Sequence, residues 1–282
     1  MKNRIITLSF REIKKSYKRF FSLAVLSFLG ASFFVGLNSA SQSFEKSANK
    51  YLKDNNSYDI KIISSLGFDD EDIEKIKKID DSFQVYGTKS KDVIIEKDNT
   101  NNIARINEIN YDCNKIVLQE GRMPENKNEM VMEYGIDSKQ NINVGDELEI
   151  DGQKIKIVGS ALSTEFLIKN KMVDTRGTSN LDSGKVSYCL YAPNEYFDFD
   201  YYTAVYVVDE KLSDVNVNSS EYKDAIQKDK DELNIVKAQL ETEKYNKIIE
   251  EATKKIDEEE AKANSEIEKS KNELDTRKTW TW

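Results

Sequence analysis

The sequence has no histidine, and only two cysteines, two prolines and two tryptophans among its 282 residues. Without histidine there is no Ser-His-Asp or Cys-His nucleophile, no H-E-x-x-H zinc site and no imidazole general base, so the commonest hydrolase chemistries are excluded. Cys113 and Cys189 stand far apart, outside any paired metal spacing and inside apolar, strand-like stretches. A free buried thiol is the common state there, and nothing in the sequence supports a disulfide between them. A phosphate loop is missing too. Leu181-Asp-Ser-Gly-Lys-Val-Ser187 ends like one, but Ser179 stands where the first glycine of G-x-x-x-x-G-K-[ST] belongs and Val186 where the hydroxyl belongs, so the segment reads as a turn leading into a strand. The acid run Asp69-Asp70-Glu71-Asp72 lacks the alternating spacing and central glycine of a calcium loop, and reads instead as the start of a helix. No residue stands out as catalytic, cofactor-binding or metal-binding, and no enzyme activity is expected.

What the chain does have is charge and one long apolar run. Charged residues make up 33% of the chain and the formal net charge is −9. Seven basic residues and one acid give the first nineteen residues +6, which leaves −15 on the remainder, too acidic to bind nucleic acid. From Phe20 to Leu37 there are 18 residues without a charge, about 27 Å as a helix and close to the thickness of a bilayer's hydrocarbon core. Eleven of them are Phe, Leu or Val, each favouring insertion by roughly 0.3–0.6 kcal/mol, so Ser22, Ser27 and Ser32 do not reverse the preference. The basic residues before the run place the N-terminus in the cytoplasm and everything after about Asn38 outside. A cleaved signal peptide shares the basic start, but its core is shorter, and Asn38-Ser39-Ala40 puts a polar residue where a small one is wanted. Ile6, Phe10, Ile13, Tyr17 and Phe20 form one apolar stripe with Arg11, Lys14, Lys15 and Lys18 mostly off it, the pattern of a helix lying on the inner membrane face.

Beyond the run, Ser43 to Leu52 is helix-forming and prolongs the membrane helix. Tyr58 to Ile63 alternates as a strand, and Asp69 or Asp70 caps a short helix through Ile79. Val85 to Glu96 and Ile103 to Ile109 read as two strands of a hairpin around the turn residues 97–102. This order suggests a small α+β layer. Ile116 to Pro124, Glu129 to Met132, a short helix-like Ser138 to Asn141 and Val144 to Gly159 form a β-unit. Within it Asp151-Gly152 is a two-residue hairpin signal, because a type I′ turn needs positive φ at both positions. Lys185 to Tyr191 and Tyr202 to Val208 are further strands.

The order G-R-x-P (Gly121 to Pro124), E-M-V-M (Glu129 to Met132), N-V-G-D-x-L (Asn143 to Leu148) and a D-G hairpin ending I-V-G at Gly159 resembles the extracytoplasmic core domain of MacB/FtsX-like ABC transporter permeases. The resemblance covers about Met1 to Glu210. Through Gly177 to Lys185, Tyr188 to Tyr191, Asn194 to Phe197 and Tyr202 to Val207 it is similar to a clostridial-type branch with an inserted coiled coil. It implies a separate ABC-type ATP-binding subunit, a second permease copy forming a dimer, and a place in the plasma membrane.

From about Ser219 a Glu/Lys-dense segment without Gly or Pro runs to about Arg277, long enough for a helix approaching 85 Å. Ile226, Leu233 and Leu240 repeat every seven residues, and Ile249, Ile256, Ala263 and Ser270 do so on a shifted phase. This fits either a weak coiled coil or a solvated single helix laced with i,i+4 ion pairs. The chain ends at Thr279-Trp-Thr-Trp282 without the further membrane helices of the family, so a fragment or truncated product is expected. The expected fold class is α+β. Residues 1–19 are a cytoplasmic basic amphipathic helix, 20–40 a transmembrane helix, 41–218 an extracytoplasmic core domain, and 219–278 a long charged helix or coiled-coil arm. Two functions stay open at this point: the permease subunit, coupling hydrolysis by a partner to the outside, and a single-span anchored adaptor or sensor that recruits a partner through its helical arm.

Overall fold

The apolar run lies in helix α1 (Tyr17–Asp54), 38 residues long and therefore about 57 Å at 1.5 Å per residue. The structure, a computed structural model, describes residues 11, 14–97, 100–136, 142–166, 176–182 and 184–279. No residue of α1 is buried, and Phe21, Phe28, Phe33 and Phe34 are 68–72% exposed. A surface apolar all round belongs in lipid or among other helices. The Ser22 hydroxyl donates to the Lys18 carbonyl at 2.9 Å, so it carries no unmet hydrogen bond into an apolar medium. The helix runs on without a break through Ser43 to Leu52, as their composition implied, and ends at an exposed Lys50–Asp54 ion pair of 2.6 Å. Among the described residues it is the one helix long and apolar enough to cross a membrane. The expected surface helix over 1–19 falls largely outside the described residues.

Residues from Asn55 onward form a second unit. Its elements in chain order are β1 (Ile60–Phe68), α2 (Asp70–Lys77), β2 (Phe83–Thr88), β3 (Ser90–Lys97), β4 (Thr100–Glu108), β5 (Val117–Gly121) and β6 (Glu129–Glu133). They continue with β7 (Glu147–Ile150), β8 (Gln153–Leu162), β9 (Val186–Ala192), β10 (Tyr202–Asp209) and α3 (Ser220–Thr279). The strands make two sheets. The smaller is antiparallel in the order β1-β10-β2; the larger is mixed, in the order β3-β4-β9-β6-β8-β5, with β7 also on β8. The α+β class is as expected. The helix-like segment expected over Ser138 to Asn141 lies outside the described residues.

The stretch Val85 to Glu96, expected as one strand, is two strands in different sheets. The break falls at Lys89, whose backbone N–H donates to Glu108 Oε2 at 2.9 Å while its carbonyl accepts from the Glu108 N–H at 2.9 Å. Alternation continues across the break because both sides are strand; the change of sheet is set by Glu108, far along the chain. The β3–β4 hairpin is as expected, its ladder running from Ser90↔Asn107 to Lys97↔Thr100. Asp151 and Gly152 have φ of 52° and 76° between paired Ile150 and Gln153, the turn their sequence demanded. Gly121, at φ +77°, lies opposite Gly159 where β5 crosses β8, and a Cβ there would collide with the Val158 carbonyl.

The larger sheet curls until its far strands approach, and Lys91 on β3 pairs with Asp151 of the β7–β8 turn at 2.7 Å. Its concave face holds the main core, with Ile95, Ile106, Met130, Ile150, Ile155, Ile157, Tyr188 and Leu190 all at 1% exposure or less. A second core lies between the small sheet and the two helices: Ile60, Phe68, Val205 and Val207 from the strands, Ile76 from α2, and Ile226 and Leu233 from α3, with Leu240 packed against them. The repeat Ile226, Leu233, Leu240 thus faces this chain's own sheet. A seven-residue spacing marks one face of a helix without saying what covers it, and here the domain does.

Candidate functional site

A groove of about 700 Å³ lies beside β1. Every residue from Ile60 to Phe68 lines it. Successive side chains of a strand point to opposite faces, so a lining drawn from both faces marks the strand's free edge. Among the described residues β1 is indeed the outer strand of its sheet, paired only with β10. Ile76, Ile79, Leu233, Val236 and Leu240 supply apolar surface from α2, its exit and α3.

The opposite wall is α3, latched to the start of α2. Asp69 caps α2, its Oδ1 accepting the Asp72 N–H at 3.1 Å while Asp72 Oδ2 accepts the Asp69 N–H at 3.0 Å. The acid run is therefore a helix start, as its composition implied. Lys244 then donates to Asp69 Oδ2 at 2.8 Å and Asp72 Oδ2 at 3.0 Å, with its side chain 16% exposed. Lys247 reaches Asp69 at 3.3 Å, and Lys75 reaches Glu243 at 2.5 Å. Burial pushes the Asp69 carboxyl up, but Lys244, the Asp72 amide and Lys247 outweigh it and hold it well below the usual range. Lys244 is raised: burial opposes its charge, and the two carboxylates more than offset that.

The roots of β10 and α3 hold a second cluster of acids. Tyr222 on α3 donates to Asp59 Oδ1 at 2.6 Å, and the Asp209 N–H donates to Asp59 Oδ2 at 2.9 Å. Asp229, on the next turns of α3, is 7% exposed, and its Oδ2 has no hydrogen-bond partner among the described residues. Burial first, then Asp209, Glu232 and Asp80, push it up to about 6 against the pull of Lys211.

Other buried charges are paired in ways that fix the fold. Glu165, beyond β8, accepts from Lys61 at 3.1 Å and from Tyr206 at 3.3 Å, tying the two sheets together beside the Tyr58–Tyr206 stack. Arg176 clamps Glu133 at 2.6 Å and 2.9 Å, and the other Glu133 oxygen accepts the Cys189 N–H at 3.2 Å. Cys113 and Cys189 are both free and buried. Burial pushes the Cys113 thiol up to about 12, and raises Cys189 together with Glu133. Among the described residues no group of three or more His, Cys, Asp or Glu is placed to hold a metal ion. Asp182 lies in a turn and Gly184, at φ +71°, shortly precedes β9, which begins at Val186; Ser183 lies outside the described residues. The groove and the Lys244 latch were not legible in the sequence, since Lys244 and Asp69 lie 175 residues apart.

No family model and no curated protein matches the sequence. Solved structures do show likeness. The extracellular domain of the noncanonic ABC-type transporter YknZ from Gram-positive bacteria is similar at 17% identity, over 58% of this chain and 80% of that one, with a TM-score of 0.34. The periplasmic region of MacB from Actinobacillus actinomycetemcomitans is similar at 14% identity, over 58% and 72%, also with a TM-score of 0.34. A domain of a protein named as a permease, from Porphyromonas gingivalis, is similar at 16% identity, over 45% and 59%, with a TM-score of 0.25.

Proposed function

We propose that this chain is the membrane permease subunit, or the N-terminal part of one, of a MacB/FtsX-like ABC transporter. One observation carries the reading: an uninterrupted helix whose apolar run, Phe20 to Leu37, is exposed throughout and preceded by basic residues leads into a folded domain of two sheets. In this reading residues 1–19 lie on the cytoplasmic face of the plasma membrane and 20–40 cross it. The strands and α3 stand outside as the part that responds. A separate ATP-binding subunit supplies hydrolysis and a second permease copy completes the dimer. The chain's own contribution is mechanical. A helix without proline transmits displacement along its axis, because its hydrogen bonds run without a gap from end to end.

The distal part of α3 bears Ile249, Ile256 and Ile267, exposed by 49%, 65% and 53%. They are the seam along which a second helical arm would pair, in this or another chain. That stripe is also what a single-span adaptor would use to recruit a partner, which is the second reading. Affinity purification of the tagged chain from its native membrane separates them. Co-purification of a protein bearing a Walker A ATPase sequence is expected; its absence, with another partner recovered through α3, favours the adaptor.

A further inference from the structure

The groove beside β1 combines three features that one kind of ligand satisfies together. The first is a free strand edge. Alternate backbone N–H and C=O groups of Ile60–Phe68 point away from β10, the strand's one partner among the described residues, and proteins usually blunt or cover such an edge. Here Ile60 to Ile63 keep regular register with Val207 to Ala204 before the bulge at residues 64–67. Ile63 stands 72% exposed and Leu66 44% exposed on the groove itself. The second feature is the apolar surface of Ile76, Ile79, Leu233, Val236 and Leu240 facing that edge.

The third feature is charge. The lining carries Lys61, Lys230, Lys237 and Lys244 against Asp72 and Glu241. Lys244 is taken up by Asp69 and Asp72, and Lys61 by Glu165. That leaves Lys230 exposed on the rim and Lys237 in a loose 3.6 Å contact with Glu241.

An acyl chain would fill the apolar floor but leave the backbone edge unmatched. A helix brings amides already bonded internally. An extended peptide answers edge, floor and charge together. We propose that the groove binds an extended polypeptide segment of about five residues, whose alternate side chains facing α3 are in turn acidic and apolar, which adds to β1 as a further strand. Its backbone pairs with Ile60 to Ile63, its apolar residues meet Leu233, Leu240 and Ile76, and its carboxylates meet Lys230 and Lys237. This stands apart from the transporter reading: it needs neither an ATP-binding partner nor a particular side of the membrane.

The test uses the full chain in nanodiscs and a fluorescein-labelled peptide, Thr-Glu-Thr-Val-Thr-Glu-Thr, with two relatives, one N-methylated on the Glu and Val residues and one on the Thr residues that follow them. Strand addition uses one edge of the peptide. One methylated relative is therefore expected to bind at least about tenfold more weakly than the parent, while the other binds like it. Ile63→Asp, at a position exposed enough to leave folding intact, and Lys230→Glu are each expected to weaken the parent peptide severalfold with an unchanged circular dichroism spectrum. The proposal is overturned if the parent peptide shows no saturable binding, if all three peptides bind alike, or if dodecanoate binds more tightly than the peptide.

Discussion

Replacing Asp229 with asparagine is expected to make the unit from Asn55 onward more stable at neutral pH. Asp229 is 7% exposed with an unpartnered oxygen. Burial, then Asp209 on β10, Glu232 on α3 itself and Asp80 beyond α2, raise its pKa from 3.8 to about 6, with Lys211 opposing them. A folded pKa above the unfolded value means that the folded state favours the protonated form. The penalty is therefore absent below about pH 4, grows between about 4 and 6, and is complete above that. About two pH units at roughly 1.4 kcal/mol each sets an upper bound near 3 kcal/mol. Solvent at the exposed side of α3 screens part of this, leaving about 1–2 kcal/mol. Asn keeps the shape of the side chain and removes the charge. Urea unfolding of the full chain in detergent, followed by the near-ultraviolet circular dichroism of its tyrosines, should show Asp229→Asn more stable by that amount at pH 7.5. The advantage should fade toward pH 4. A variant that is less stable at pH 7.5, or whose advantage does not change with pH, would refute the reasoning.

Two further outcomes are expected. Lys244→Ala leaves Asp72, whose side chain is 10% exposed, without its cation. It should cost about 1–2 kcal/mol and raise amide hydrogen exchange in α3 around residues 236–248, ahead of the strands. Gly121→Ala puts a side chain at φ +77° against the Val158 carbonyl, and should lower stability by more than about 1 kcal/mol, read as a fall in Tm.

Features set by neighbours in sequence were legible without the structure. The run from Phe20 to Leu37 needs only its own composition to declare a helix, Asp151-Gly152 only its backbone freedom, and Asp69 only the orphan amides of the turn that follows. What escaped depends on distant partners. Nothing local to Lys89 says that the chain changes sheets there, because the instruction resides in Glu108. The parallel pairing of β4 with β9 joins strands about eighty residues apart, from Ala104↔Tyr188 to Glu108↔Ala192. The spacing of Ile226, Leu233 and Leu240 marks one helical face, which the sequence left open between a weak coiled coil and a solvated single helix; it packs against the small sheet. The groove escaped for the same reason: it is a gap between β1 and two helices, one of them more than 150 residues further along the chain.

The buried native thiols make one experiment especially direct. Cys113 and Cys189 are inaccessible in the folded domain, so a single added cysteine reports its own side of the membrane. If α1 crosses the bilayer with its basic end inside, a membrane-impermeant maleimide applied to intact cells should label Ser265→Cys at once and Ser16→Cys only after lysis. Labelling of Ser16→Cys in intact cells, with Ser265→Cys protected, would contradict that topology and the transmission of movement outward that rests on it.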